Sequence, residues 1–227
     1  METIAERLKS AYQTIKQSAA DAHRPPNSVK LLAVSKTKPV SDIVQAYEAG
    51  QRLFGENYVQ EGVEKIQTLQ NHKDIEWHFI GPLQSNKTKL VAENFSWVHS
   101  IDRLKIAQRL NDQRSAHLAL NVCIQVNVDN ETNKAGLAVT EVMEFAQQIT
   151  QLRNLNLRGL MSIPKAHAST EEQSQSFATM ATLFTQLATL YPQIDTLSMG
   201  MSNDMALAIK HGSTMVRIGT AIFGSRG

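Results

Sequence analysis

The feature that most constrains this sequence is a rhythm. Short β-favouring runs recur eight times, at "VKLLAVSKT" (29–37), "RLFGENY" (52–58), "EWHFIG" (76–81), "WVHSID" (97–102), "LNVCIQVNV" (120–128), "LRGLMSI" (157–163), "TLSMGMS" (196–202) and "MVRIGTAIF" (215–223). Helical stretches separate them and carry their own boundary signals. Ser41 opens "SDIVQAYEAG" with Gly50 after it, Ser169 and Glu172 form a capping box, and Gly212 closes "NDMALAIKHG". Eight strands alternating with helices, without a Pro/Gly/Ser-rich linker or low-complexity tract, predict an α/β fold: a single (β/α)8 TIM barrel, one domain over residues 1–227. The rival is a doubly wound open sheet, whose G-x-G-x-x-G fingerprint is missing after the first strand.

The two ends refine this expectation. Ile4, Leu8, Ala11 and Ile15 recur at helical spacing and give the first twenty residues to an extra amphipathic helix. The chain stops at Gly227 directly after the eighth strand, so no C-terminal helix is expected, and the N-terminal helix is expected to cover that side of the barrel.

Composition removes several classes of function. The net charge is +2, and the basic residues are neither clustered nor interleaved with aromatics, so no nucleic-acid partner is expected. "METIAERLKSAYQTIK" lacks the apolar stretch of a signal peptide, and no run approaches the roughly 18 apolar residues of a membrane span. The lone Cys123, inside "NVCIQVNV", reads as a small core residue in a reducing compartment. A cytoplasmic, soluble protein without a membrane partner is expected. His23, His72, His78, His99, His117, His167 and His211 are dispersed, and no metal is expected.

In such a barrel the C-terminal strand ends form the active face. By register they hold Lys36, Asn57, Gly81, Asp102, Asn127, Ser162, Ser202 and Gly219. The loops after strands seven and eight, "SMGMSND" and "RIGTAIFG", occupy the usual phosphate position of the fold. Ser202 stands where a helix begins, Gly219 admits a ligand to the backbone, and Thr220 adds a hydroxyl. The same residues also read as an N-cap and a strand kink.

Strand alternation puts Leu32, Val34 and Lys36 on the inward face, so Lys36 points into the barrel mouth above apolar neighbours that disfavour an ammonium. Lys38 shares that parity but lies beyond the strand, toward solvent. A lysine facing a phosphate site suits a Schiff base with a phosphorylated carbonyl compound, either pyridoxal 5′-phosphate or a sugar phosphate. A lysine snorkelling to the rim fits the pattern equally. Arg217, facing the same way as Gly219, needs an acceptor: a pyridine nitrogen would serve, as would a carboxylate such as Asp102.

Together "AVSKTKP", "FGENYVQE", "WHFIGPLQSNK", "GLMSIP", "LSMGMSND" and "VRIGTAIFG" resemble the pyridoxal phosphate homeostasis protein family, single-domain relatives of the fold type III barrel of bacterial alanine racemase. The resemblance spans strands one to eight, and "WHFIGPLQSNK" is its most specific piece. It implies that Lys36 carries pyridoxal 5′-phosphate as a Schiff base, that Arg217 faces the pyridine nitrogen, and that Ser202, Gly219 and Thr220 hold the phosphate. It implies binding and delivery of the cofactor to pyridoxal phosphate-dependent apoenzymes, with no established reaction.

Asn57 reads both as a contact to the ring's substituents and as a turn former. His78 reads as a satisfied core histidine, and Met199 and Met201 as packing beside the ligand. The alternative function is an amino-acid racemase. In alanine racemases a tyrosine from an additional C-terminal domain supplies the second acid/base, whereas here only Tyr58 lies near the active face. No catalytic residue is therefore assigned, and without that second domain a monomer is expected.

Overall fold

The computed structural model describes residues 2–115, 118–165 and 167–225. His117 and Gly227 of the sequence reading lie outside them. The strands β1 (Lys30–Val34), β2 (Leu53–Glu56), β3 (Glu76–Phe79), β4 (Trp97–Ile101), β5 (Leu120–Val126), β6 (Leu155–Ser162), β7 (Thr196–Ser198) and β8 (Met215–Ile218) close into one parallel barrel in sequence order. Around them run α1 (Ile4–Asp21), α2 (Val40–Glu48), α3 (Val59–Thr68), α4 (Thr88–Asn94), α5 (Leu104–Gln113), α6 (Val142–Ile149), α7 (Thr170–Leu190), α8 (Met205–Lys210) and α9 (Thr220–Phe223). The open-sheet alternative is excluded, because β1 pairs with β8 through Leu32 opposite Arg217 and Ala33 opposite Ile218.

Strand alternation sorts the side chains into two sets. Leu31, Ala33, Phe54, Phe79, Val98 and Val216 share one continuous apolar core with helix residues such as Ile43, Ile106 and Phe177. Each large side chain of that layer contributes roughly 1.5–3 kcal/mol by leaving water. The opposite parity faces the lumen, where Trp97, Cys123 and Met161 form a small separate cluster. Such barrels usually fill this space with branched aliphatic layers. Here it also takes in His78, His99, Ser198 and Arg217, all buried.

Helix α1 forms as its spacing requires, with a Thr3–Glu6 capping box at its start and Ile4, Leu8, Ala11 and Ile15 buried. It packs on α2, α8 and α9 and so covers the seam where the barrel closes. The expected absence of a terminal helix is corrected by α9. The run 215–223 is two elements, with β8 ending at Ile218 and one helical turn following. The Phe223 N–H bonds back to the Gly219 carbonyl and the Gly224 N–H to the Thr220 carbonyl, each at 2.9 Å, the i to i−4 pattern of a helical turn.

Two further boundaries move. Helix α2 starts at Val40 after Pro39, whose fixed φ ends the preceding turn, so Ser41 is inside the helix. The seventh run remains extended only to Ser198, because Gly200 adopts a φ of 98° and turns the chain. The Ser169–Glu172 capping box on α7 forms as expected. No helix among the described residues is long and apolar enough to cross a membrane.

Gly159 marks the tightest place in the sheet. It lies on β6 opposite a register shift in β5, between Val122 and Cys123, and pairs with Thr196 of β7. A Cβ there would fall inside van der Waals contact of the Thr196 carbonyl oxygen. Gly159→Ala is expected to cost about 3 kcal/mol, read as a lower urea midpoint at unchanged slope. A variant as stable as the parent would show that the strands are wider apart than this.

Candidate functional site

Behind β1 a buried charge cluster braces the turn that leads into the site. Lys65 of α3 reaches into the sheet and donates to Glu56 Oε1 at 2.9 Å, Glu61 Oε1 at 2.5 Å and the Ser35 carbonyl at 2.8 Å. The Ser35 hydroxyl also donates to Glu56, at 2.6 Å, and the Thr37 N–H donates to Glu61 at 2.6 Å. The backbone is thus held on both sides of Lys36. Thr37 has a φ of 62°, a left-handed conformation that costs a β-branched residue of the order of 1–3 kcal/mol, and its bond to Glu61 helps to fix it. Lys36 therefore belongs to a braced turn two residues past β1, where the sequence reading had continued the strand.

Lys36, Asn57, Ser202, Arg217, Gly219 and Thr220 all line one cavity of about 380 Å³ at the C-terminal mouth of the barrel. Val34, Ile80 and Ile163 provide its apolar sides. The volume lies within the range of small-molecule sites. Lys38 does not line it: half-buried, it donates to the Ser225 carbonyl at 2.8 Å and ties β1's turn to the region after α9, where the sequence suggested solvent.

Arg217 is buried below the cavity. It donates to the Ser198 carbonyl at 2.8 Å, the Ser198 hydroxyl at 2.9 Å and the Ser162 carbonyl at 2.9 Å. Burial pulls its guanidinium down to about 10, with Asp204 pulling the other way, and that still leaves it charged at neutral pH. The ion pair with Asp102 does not form. Asp102 instead accepts from Arg103 and from the Gly136 N–H, and Asn127 is bonded to Glu131, so both residues build the loop after β5.

The two loops beside Arg217 are open to solvent. Ser202 is exposed in the turn before α8, whose N-cap position belongs to Asp204, so the N-cap reading of Ser202 is corrected. Gly219 precedes α9, and a Cβ on it would press the Val34 carbonyl oxygen at 3.2 Å. The Thr220 hydroxyl is on an exposed residue. Asn57 follows β2 with its Oδ1 buried and without a hydrogen-bond partner among the described residues, as is Ser162 Oγ. Gly81 closes on Asn57 from behind, since a Cβ there would collide with the Asn57 backbone.

His78 is a core histidine, bonded to Glu76 and His99. Met201 lines the cavity, whereas Met199 is buried in the main apolar core and is not among the lining residues, nor is exposed Tyr58. Burial pushes the Cys123 thiol up, which makes it inert packing. Among the described residues no group of three His, Cys, Asp or Glu side chains could hold a metal ion.

Sequence reasoning missed Glu56, Glu61, Lys65, His99 and Ser198. A carboxylate inside the apolar run "LFGE" and a histidine at Trp97's parity in "WVHSI" were the available signals.

Residues 6–227 match the family described as alanine racemase, N-terminal domain. The pyridoxal phosphate homeostasis protein of Pasteurella multocida is 58% identical over 99% of this chain and 98% of its own. The solved structure of PipY from Synechococcus elongatus with PLP bound is 38% identical, has a TM-score of 0.82, and is covered over 100% of its length by 98% of this chain. Alanine racemase from Corynebacterium glutamicum, at 15% identity and a TM-score of 0.72 over 60% of its length, shares the fold.

The Lys65 cluster yields a test that needs no ligand. Lys65→Met leaves the Glu56 carboxylate buried without its cation, and a loss of about 3–5 kcal/mol at neutral pH is expected. Burial already holds the Glu56 pKa above its ordinary value, with Lys65 and Ser35 opposing. A carboxyl with a raised folded pKa binds protons more readily folded than unfolded, so its penalty appears as pH rises through that pKa. The deficit of Lys65→Met should therefore be larger at pH 7 than at pH 5, shrinking on acidification as Glu56 becomes neutral. Urea melts at pH 7 and pH 5 measure it, and a deficit that does not depend on pH would place the loss in packing rather than charge.

Proposed function

The chain belongs to the alanine racemase N-terminal-domain family, and from that premise we propose that it binds pyridoxal 5′-phosphate, held as a Schiff base on Lys36, for intracellular homeostasis and delivery to cytoplasmic apoenzymes. One observation carries this reading. A single cavity is lined by a lysine, an arginine and two polar loops drawn from opposite ends of the chain, around apolar walls that suit a flat ring. The buried unpartnered Asn57 Oδ1 fits a ligand that brings a hydrogen-bond donor to it.

When bound, pyridoxal phosphate would supply an aldehyde carbon open to an amine. Lys36 supplies that amine from a braced turn. Arg217 would donate an N–H to the ring nitrogen and, remaining charged, would not release a proton to it. Ser202, Thr220 and the N–H groups around Gly219 donate to the phosphate, and Asn57 meets the ring's substituents. Facing a ring nitrogen it does not protonate, Arg217 would favour holding the group over drawing electrons from it. Relatives at 55–58% identity are named homeostasis proteins, which supports a carrier over a racemase. The exposed Ser202 and Thr220 leave the phosphate end accessible to a receiving apoenzyme. The proposed unit is a monomer.

Borohydride reduction of the yellow protein, followed by peptide mapping, should place the label on Lys36, and Lys36→Ala should lose the visible band. Ser202→Ala should weaken binding by about 1.5–3 kcal/mol, the scale of one hydrogen bond to a charged group. Label on another lysine in the parent, or equal affinity for pyridoxal with and without its phosphate, would contradict the assignment.

A further inference from the structure

A hydrogen-bonded chain crosses the barrel lumen beneath the cavity. Glu76 Oε1 is 2.9 Å from His78 Nε2, and His78 Nδ1 is 2.9 Å from His99 Nε2. His99 Nδ1 is 3.0 Å from Ser198 Oγ, which accepts from Arg217 at 2.9 Å. His78, His99 and Ser198 are fully buried, while the Glu76 carboxylate is partly exposed at the far end of β3. Trp97 stacks on His78 with ring centroids 5.1 Å apart and fixes its plane.

The two ends, with both histidines kept neutral by burial, set the direction of the bonds. A guanidinium can only donate and a carboxylate can only accept. Ser198 Oγ takes an Arg217 N–H and turns its own hydrogen to His99 Nδ1. His99 then donates from Nε2 to His78 Nδ1, and His78 donates from Nε2 to Glu76. Both imidazoles are neutral and protonated at Nε2. The reverse pattern would need an imidazolium at His78, and the surroundings oppose it. Burial lowers both histidines, Lys30 of β1 acts against His78, and Arg217 of β8 acts against His99, with Glu76 the opposing group. Arg158 of β6, over the Trp97 ring at 4.9 Å, is bonded to Asp195.

We propose that Glu76, His78, His99 and Ser198 are positioning residues for Arg217: a one-way hydrogen-bond chain that fixes the guanidinium beneath the cavity and turns its uncommitted N–H groups to the ligand. Three of the five guanidinium N–H groups are taken by Ser198 and Ser162. The chain ends on a group that cannot lose its proton at neutral pH, so it orients and does not shuttle. Its functional consequence rests on the reading of Arg217 given above, while the proton pattern belongs to the protein without ligand.

The test is nitrogen NMR of the full-length protein with labelled histidine, first without ligand. His78 and His99 should both show the neutral Nε2–H pattern from pH 8 to pH 6. Either ring as Nδ1–H or as an imidazolium overturns the proposal. Pyridoxal phosphate is then added. It should shift the His99 signals in the parent, whereas Ser198→Ala should bind about tenfold more weakly and lose that response. Ser198→Thr, which keeps the hydroxyl, should restore both. Should Ser198→Ala fail to fold, His99→Phe cuts the chain at the next link and is expected to weaken binding alike. Parental affinity in either cut variant overturns the chain's role, whereas a parent that takes up no pyridoxal phosphate overturns the reading of the cavity and leaves the proton pattern intact.

Discussion

The seam between β1 and β8 is the constraint on which the rest depends. Pairing Leu32 with Arg217 and Ala33 with Ile218 closes the sheet, and it joins the first strand of the chain to the last. Only that closure brings Lys36 to the same cavity as Arg217, Gly219 and Thr220. Contacts of such long sequence separation carry a loop-closure cost, which must be offset by packing at the seam. Helix α1 supplies it by burying Ile4, Leu8, Ala11 and Ile15 against the structure beside α8, α9 and α2. The extra helix is thus a clasp across the closure as well as a cover.

Two cations near the cavity are handled in opposite ways. Lys65 is neutralised directly by Glu56 and Glu61, and its work is mechanical: it braces the turn that carries Lys36. Arg217 has carbonyl and hydroxyl oxygens as its partners, and the nearest end of its chain that bears a negative charge is Glu76, three residues removed through hydrogen bonds. A carboxylate in direct contact would have screened the guanidinium from a ligand. Neutral acceptors hold it in place and leave its charge facing the cavity.

Much of the fold was legible because parallel barrels repeat one pattern and each repeat carries its own boundary signals. The eight strands, the N-terminal helix and the Ser169–Glu172 cap could be read from spacing alone. The inward parity of Leu32, Val34 and Lys36 sufficed to place the lysine at the mouth, although the strand itself stops at Val34. What stayed hidden is tertiary. The partners of a buried lysine on α3 are set by how a helix docks on the sheet, and the His78–His99 contact joins two strands whose registers no single segment encodes. Helix α9 was masked because four residues are too few for a period to show. The bond of Lys38 stayed hidden for a related reason, since its partner Ser225 lies at the far end of the chain.

The central claim is that one ligand bridges Lys36, Arg217 and the two loops. A crystal structure of the protein soaked with pyridoxal phosphate tests it most directly. The account predicts continuous density from Lys36 Nζ into the ligand, a ring nitrogen about 3 Å from an Arg217 nitrogen, and a phosphate held between Ser202 and Thr220. Density joined to another lysine, or a ring nitrogen turned away from Arg217, would contradict it.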